Sequence, residues 1–164
     1  MRLVLLLALA LIAVPAAASE WGGIEPGITS LDQVRERYGQ PSKETRPKVD
    51  GYDTQQWVYE GAQAPAGIVR MTVDFGLLVD GSYKPNLARL LTLEPKPLVF
   101  GKQTVIQGWG VPDGIHDNKD GSKTLIWKEG LLVVFDREDK DAVSMIFSMP
   151  QPLSPSAPPA APKR

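Results

Sequence analysis

The single histidine, His116, lies in Asp113-Gly-Ile-His-Asp-Asn-Lys-Asp-Gly121, where carboxylates, an amide and a glycine crowd one short segment. Such a segment binds calcium when oxygen ligands stand at positions 1, 3, 5 and 12 of a loop with glycine at position 6. With Gly121 at position 6, those four positions hold His116, Asn118, Asp120 and Trp127. Two of the four carry the wrong atoms, so the expected reading is a solvated turn between a helix and a strand. One histidine and no cysteine supply neither a zinc set nor a thiol nucleophile. The carboxylate pairs Glu138/Asp139 and Asp74/Asp80 could share acid–base work. Asp139, however, falls in a charged turn, and Asp74 falls on the polar side of an alternating strand pattern. A serine nucleophile would lack both a strained elbow and an oriented base. No Gly-x-x-x-x-Gly-Lys phosphate loop occurs. No catalytic residue, metal site or cofactor is therefore expected, and the chain is read as not an enzyme.

Four aromatic residues are better candidates, for binding rather than chemistry. Tyr52, Trp57, Tyr59 and Trp127 fall on or beside strand patterns, and Trp57 and Tyr59, two apart, share a face. Trp and Tyr are favoured at binding hot spots because they combine a large apolar area with one polar handle. Left uncovered, that face is a binding platform; packed beneath helices, it is core.

The elements that would position these residues occupy the middle of the chain. After Arg2, residues 3–14 are an unbroken apolar run of twelve, followed by Pro15 and Ala16-Ala17-Ala18. This has the n-region, h-region and small-residue site of a secretory signal peptide. Twelve helical residues rise only ~18 Å, short of a bilayer core of roughly 30 Å. Residues 1–18 are thus expected to be cleaved after Ala18, leaving a periplasmic or secreted product with no membrane span. Residues 149–164 contain six prolines and three alanines and no aromatic residue, so a disordered tail is expected there. Lysine plus arginine number 18 against 19 acidic residues, which gives no electrostatic footprint for nucleic acid.

Between these ends the chain reads as two similar halves, residues 19–96 and 97–148, sharing one core. At an offset of 71, Val34, Tyr38, Gly39 and Pro41 fall on Val105, Trp109, Gly110 and Pro112. Ser30 with Gln33 forms a capping box, and Leu31, Val34 and Tyr38 form an apolar helical stripe that Gly39 and Pro41 end. A second short helix is expected over residues 102–109, weakened by Gly108. Val69, Met71, Val73 and Phe75 alternate with polar residues, as do Val143, Met145 and Phe147. Glu129-Gly130 reads as a tight hairpin, whereas residues 43–54 and 76–86 read as loops. The expected fold class is α+β: two tandem helix–loop–three-strand repeats forming one antiparallel sheet, with short helices packed on one face.

The pattern Ile24-x-Pro26-Gly27, Ser30, Val34, Tyr38-Gly39-x-Pro41 and then Trp57-x-Tyr59 resembles the SmpA/OmlA (BamE-like) family. Two copies in tandem resemble the β-lactamase inhibitor protein (BLIP-like) fold. The resemblance covers residues 24–75 well and 99–147 loosely. It implies a part in outer-membrane assembly or envelope maintenance. Members of that family are usually tethered through a lipidated cysteine after the signal peptide; here Ser19 stands at that place, so no lipid anchor is expected. The function expected is an exported, non-enzymatic protein–protein interaction module of the bacterial cell envelope. Its partner would be another envelope protein, met through one sheet face and residues 43–54 and 113–123. Two alternatives are a periplasmic protein binding a small ligand or the cell wall, with Trp57 and Tyr59 as pocket walls, and a BLIP-like protein inhibitor.

Overall fold

The capping box at Ser30 is formed: Ser30 Oγ accepts from the Gln33 amide at 3.3 Å, and Gln33 Oε1 accepts from the Ser30 amide at 2.8 Å. It starts helix α1 (Leu31–Tyr38), which Gly39 ends at φ 74°, a conformation that favours glycine. The computed structural model describes residues 20–150; the expected signal peptide and most of the expected tail lie outside the described residues. After α1 come β1 (Lys43–Thr45), β2 (Lys48–Val49), β3 (Tyr52–Asp53), β4 (Gln55–Glu60), β5 (Ile68–Val79) and β6 (Ser82–Pro95). Helix α2 (Lys102–Trp109) then precedes β7 (Gly114–Asp117), β8 (Lys123–Trp127), β9 (Leu131–Phe135) and β10 (Ala142–Ser148).

Eight strands form one antiparallel sheet in the order β1-β4-β5-β6-β10-β9-β8-β7, and β2 and β3 pair separately as a small hairpin. Chain order therefore runs inward from one edge to β6 in the first half. In the second half it runs inward from the other edge to β10, which meets β6 at the centre. Just before each helix the chain bridges to the central strand of its own half, Ser30 to Leu87 and Gly101 to Asp141. The next residues along these strands, Ala88 and Ala142, are small and buried and donate to Thr29 and Phe100 carbonyls, both at 2.9 Å. An alanine there leaves room for the crossing segment.

The expected α+β class is corrected by this architecture. Among the described residues the protein is mainly antiparallel β, one eight-stranded sheet with two short α-helices, and not a helix–loop–three-strand repeat with a helical layer on one face. The dimensions show why. Seven inter-strand spacings give a sheet about 34 Å wide, whereas a helix of eight residues is only about 12 Å long. Segments read as loops are also largely strand: residues 43–54 hold β1, β2 and β3, and residues 76–86 continue the β5–β6 ribbon. Asp50-Gly51 and Asp80-Gly81 close the two extra hairpins, with φ of 51° and 84° in one and 48° and 74° in the other. Positive φ at both central residues matches the right-handed twist of a hairpin, and Asp-Gly is suited to it.

One face of the sheet is buried in a single continuous core. Trp57, Val73 and Phe75 from the first half and Leu125, Leu131, Phe135 and Phe147 from the second pack with Leu31 and Val34 of α1 and Val105 of α2. Two residues depart from the simple alternation. β5 and β10 each begin with a register shift, between Ile68 and Arg70 and between Ala142 and Ser144. The extra residue at each shift, Val69 or Val143, is turned out to 48% exposure, while Ile68 and Ala142 take the core positions. Met149, at the start of the expected tail, lies against Gly27.

Candidate functional site

The structure divides the four aromatic candidates. Trp57 and Tyr59 are fully buried and Trp127 is 3% exposed, so the strand face they share is the covered one. Trp57 meets the edge of Phe75 at 4.9 Å between ring centres, with the Arg35 guanidinium 4.8 Å above its own ring. Tyr59 and Trp127 have matching tasks. Tyr59 Oη donates to the Gly39 carbonyl and Trp127 Nε1 to the Gly110 carbonyl, each at 3.2 Å. A helix end leaves carbonyls without intrahelical partners, and each aromatic residue meets one of them. Burial raises the Tyr59 hydroxyl to about 12, with Arg35 acting the other way. Tyr52 is the exception: it is 39% exposed and stacks on Tyr83 at 4.6 Å.

The residues weighed for chemistry are dispersed. His116 is exposed on edge strand β7, opposite Thr124. The segment after it closes on itself, since Asn118 Nδ2 donates to Ser122 Oγ at 2.9 Å and Ser122 Oγ to Asp120 Oδ1 at 2.6 Å. Those bonds from Ser122 lower the Asp120 carboxyl below its ordinary range. Asp74 accepts from Gln56 Nε2 at 2.9 Å, and Asp80 sits at the tip of the β5–β6 hairpin. Glu138 pairs with Lys140 at 2.8 Å, while Asp139 is held by Lys102 at 2.5 Å and Lys123 at 3.5 Å. Among the described residues no group of three or more His, Cys, Asp or Glu could hold a metal ion.

With one face of the sheet committed to the core, the opposite face is the candidate surface. A row of paired residues crosses it from β1 to β7: Lys43, Val58, Thr72, Thr92, Ile146, Leu132, Ile126 and Gly114. Its character changes at the centre. Around β4, β5 and β6 the face is polar, with Arg70 bridging Glu60 at 2.9 Å and Glu94 at 3.3 Å. The hydrogen bond that Arg70 donates to Glu60, more than any other contact, raises the Arg70 guanidinium further. Around β8, β9 and β10 it carries Ile126, Leu132, Val134 and Ile146, all only partly buried. The alternation of these strands signals two faces, but not which would be covered, because both sides of β9 are apolar.

The site thus defined belongs to a class: a β-sheet scaffold with one face closed by its own core and, among the described residues, one face open. No family model, curated protein or solved structure matches the chain. Among the described residues no helix is long and apolar enough to cross a membrane.

Proposed function

We propose that the protein is a non-catalytic interaction module of the bacterial cell envelope, exported by residues 1–18, that binds another envelope protein through the open face of its sheet. The observation that carries this reading is the contiguous, partly exposed set Ile126, Leu132, Val134 and Ile146 on neighbouring strands of a sheet that the described residues cover on its other side only. Aliphatic side chains at adjacent register positions supply an apolar centre, and the ion pairs of the first half supply a polar rim, the usual anatomy of a protein interface. The apolar run of residues 3–14 and the alanines that follow support export. The resemblance of residues 24–59 to SmpA/OmlA proteins supports an envelope setting, assembly or maintenance of the outer membrane. The near-zero net charge agrees with a protein partner rather than nucleic acid.

A photo-cross-linking side chain placed at Leu132 in living cells tests the reading, with Glu36 on the exposed side of α1 as the control position. The expected result is a discrete protein adduct from Leu132 and none from Glu36, on a mature chain beginning at Ser19. No adduct from Leu132, or the same adducts from both positions, rejects the open face as the interface.

A further inference from the structure

A second feature lies where the β5–β6 ladder is broken. The register passes from Asp74 opposite Leu90 to Phe75 opposite Ala88, and then to Leu77 opposite Lys84. Arg89 and Gly76 are left without cross-strand partners. Such an interruption re-aims the side chain it releases. Next to it is a cavity of about 220 Å³, lined by Val49, Tyr52, Leu77, Leu78, Tyr83 and Arg89. Its shape depends on the glycine. Gly76 stands at φ 102°, and a Cβ there would lie 3.2 Å from Thr54 Cγ2 and collide with the Tyr83 hydroxyl. The aromatic wall is fixed as well: Tyr83 stacks on Tyr52 and donates its hydroxyl proton to the Asp53 carbonyl.

The charge in this cavity is only loosely met by the fold, through an ion pair with Asp74 at 4.0 Å. Arg89 Nε is buried and has no hydrogen-bond partner among the described residues. Its Nη2 is 4.0 Å from Asp74 Oδ1, beyond hydrogen-bond distance, and that same oxygen already accepts from Gln56 at 2.9 Å. A buried donor without an acceptor is costly, and a guanidinium matches a planar carboxylate with two parallel N–H groups. Tyrosine faces and leucine side chains beside it favour a flat or aliphatic body. Asp50, also on the cavity wall, disfavours a second negative charge.

We propose that this cavity is a binding site for a small monocarboxylate with an apolar or aromatic body, its carboxylate on the Arg89 guanidinium and its body against Tyr52, Tyr83 and Leu78. The cavity volume limits the ligand to the size of a single ring with a short side chain. This site stands apart from the open-face reading, and either can fail without the other.

The test is a titration of the full mature chain with phenylacetate and, separately, with phenylacetamide, followed by amide and arginine Nε–Hε NMR signals. Phenylacetate is expected to shift Gly76, Leu78, Tyr83 and the Arg89 Nε–Hε signal saturably. The neutral amide, of the same shape, is expected to bind about tenfold more weakly or worse. R89Q, with its fold checked by circular dichroism, is expected to lose the preference for the acid. Equal binding of the two probes, shifts scattered away from the cavity, or no saturable shift overturns the proposal. Should R89Q not fold, the comparison of acid with amide on the natural chain still decides.

Discussion

Helices α1 and α2 end alike and begin differently. At their C-termini both stop on a glycine with positive φ, the glycine amide bonds back to the helix at 2.8 Å, and an aromatic side chain from the sheet takes the glycine carbonyl. A second clasp also recurs: Ser42 Oγ accepts from the Glu60 amide and Asp113 Oδ2 from the Lys128 amide, both at 2.9 Å. At the N-termini the likeness stops. α1 carries its own capping box, whereas Gly101 offers α2 no side-chain cap. α2 is held from outside instead, by Lys102 bonded to Asp139 through its ammonium and to the Lys140 carbonyl through its amide. A box made of residues three apart forms with the helix itself, but a tie to residue 139 forms only after β9 and β10 have met. The first half is therefore locally specified at its helix and the second tertiary, a difference that substitutions can probe.

The largest effects are expected where the halves are least distinct. Trp57 and Trp127 sit in one continuous core, so replacing either with alanine removes an indole and leaves a cavity. Each of W57A and W127A is expected to cost about 3–5 kcal/mol, and to do so within a single transition. Denaturation followed by both circular dichroism and tryptophan fluorescence checks this. Separate transitions for the two halves would show that the core is not shared energetically.

Two glycines in like sequence settings, Glu60-Gly61 and Glu129-Gly130, separate the halves more sharply. Gly61 has φ 62° and nothing within 4 Å of a Cβ, but Gly130 has φ 108° and a Cβ there would strike the Ser148 carbonyl. G61A is expected to cost about 1 kcal/mol from the left-handed backbone alone. G130A adds a backbone collision and is expected to cost about 3 kcal/mol. Equal losses in urea melts would mean that the β8–β9 turn yields and is not clamped by β10.

These cases show what could be read from the residues. Ser30 with Gln33, and Gly39 and Gly110 each two residues before proline, are local signals, and both helices fall where such signals put them. The Glu129-Gly130 turn is likewise local. Asp50-Gly51 and Asp80-Gly81 were legible hairpin signals too, but the strands flanking the first are only two residues long, too short to show an alternation, so composition alone marks a loop. The outward turn of Val69 and Val143 was not legible, because a bulge is fixed by the partner strand and not by the strand's own alternation. Of the candidate site, Tyr52 was visible as an aromatic residue near a strand. Tyr83 and Arg89 were not, since only the break in the ladder brings them beside it.

A smaller difference should appear with acid. The hydrogen bond and charge of Lys102, aided by Lys123, lower the Asp139 carboxyl below its ordinary range. A carboxylate with a lowered value in the folded chain stabilises it above the unfolded value, near pH 4. That contribution is lost as pH falls through the lower, folded value. D139N is chosen because asparagine tolerates the φ of 58° at this position. It is expected to cost about 1 kcal/mol at neutral pH, since the pair is partly exposed and screened. That cost should fade below about pH 4. S30A should cost a similar amount, about 1 kcal/mol, but without dependence on pH in that window. Parallel pH profiles for the two variants would break the contrast between a tertiary tie and a local cap.

The smallest effect expected is a gain. Gly108 sits in the last turn of α2, at the place where α1 carries Arg37 at the same offset of 71. Gly108 does not adopt a positive φ, and a Cβ there would meet nothing within 4 Å. The glycine is therefore not needed for a turn or a close approach, and its main effect is to widen the unfolded ensemble. G108A is expected to stabilise the protein by about 0.5 kcal/mol, less than a mid-helix site because the position is near the end. The reverse change, R37G in α1, should destabilise by about 1 kcal/mol. Thermal melts at matched pH measure both. If G108A instead destabilises, the last turn of α2 does not accept a side chain as freely as the open space around Gly108 implies.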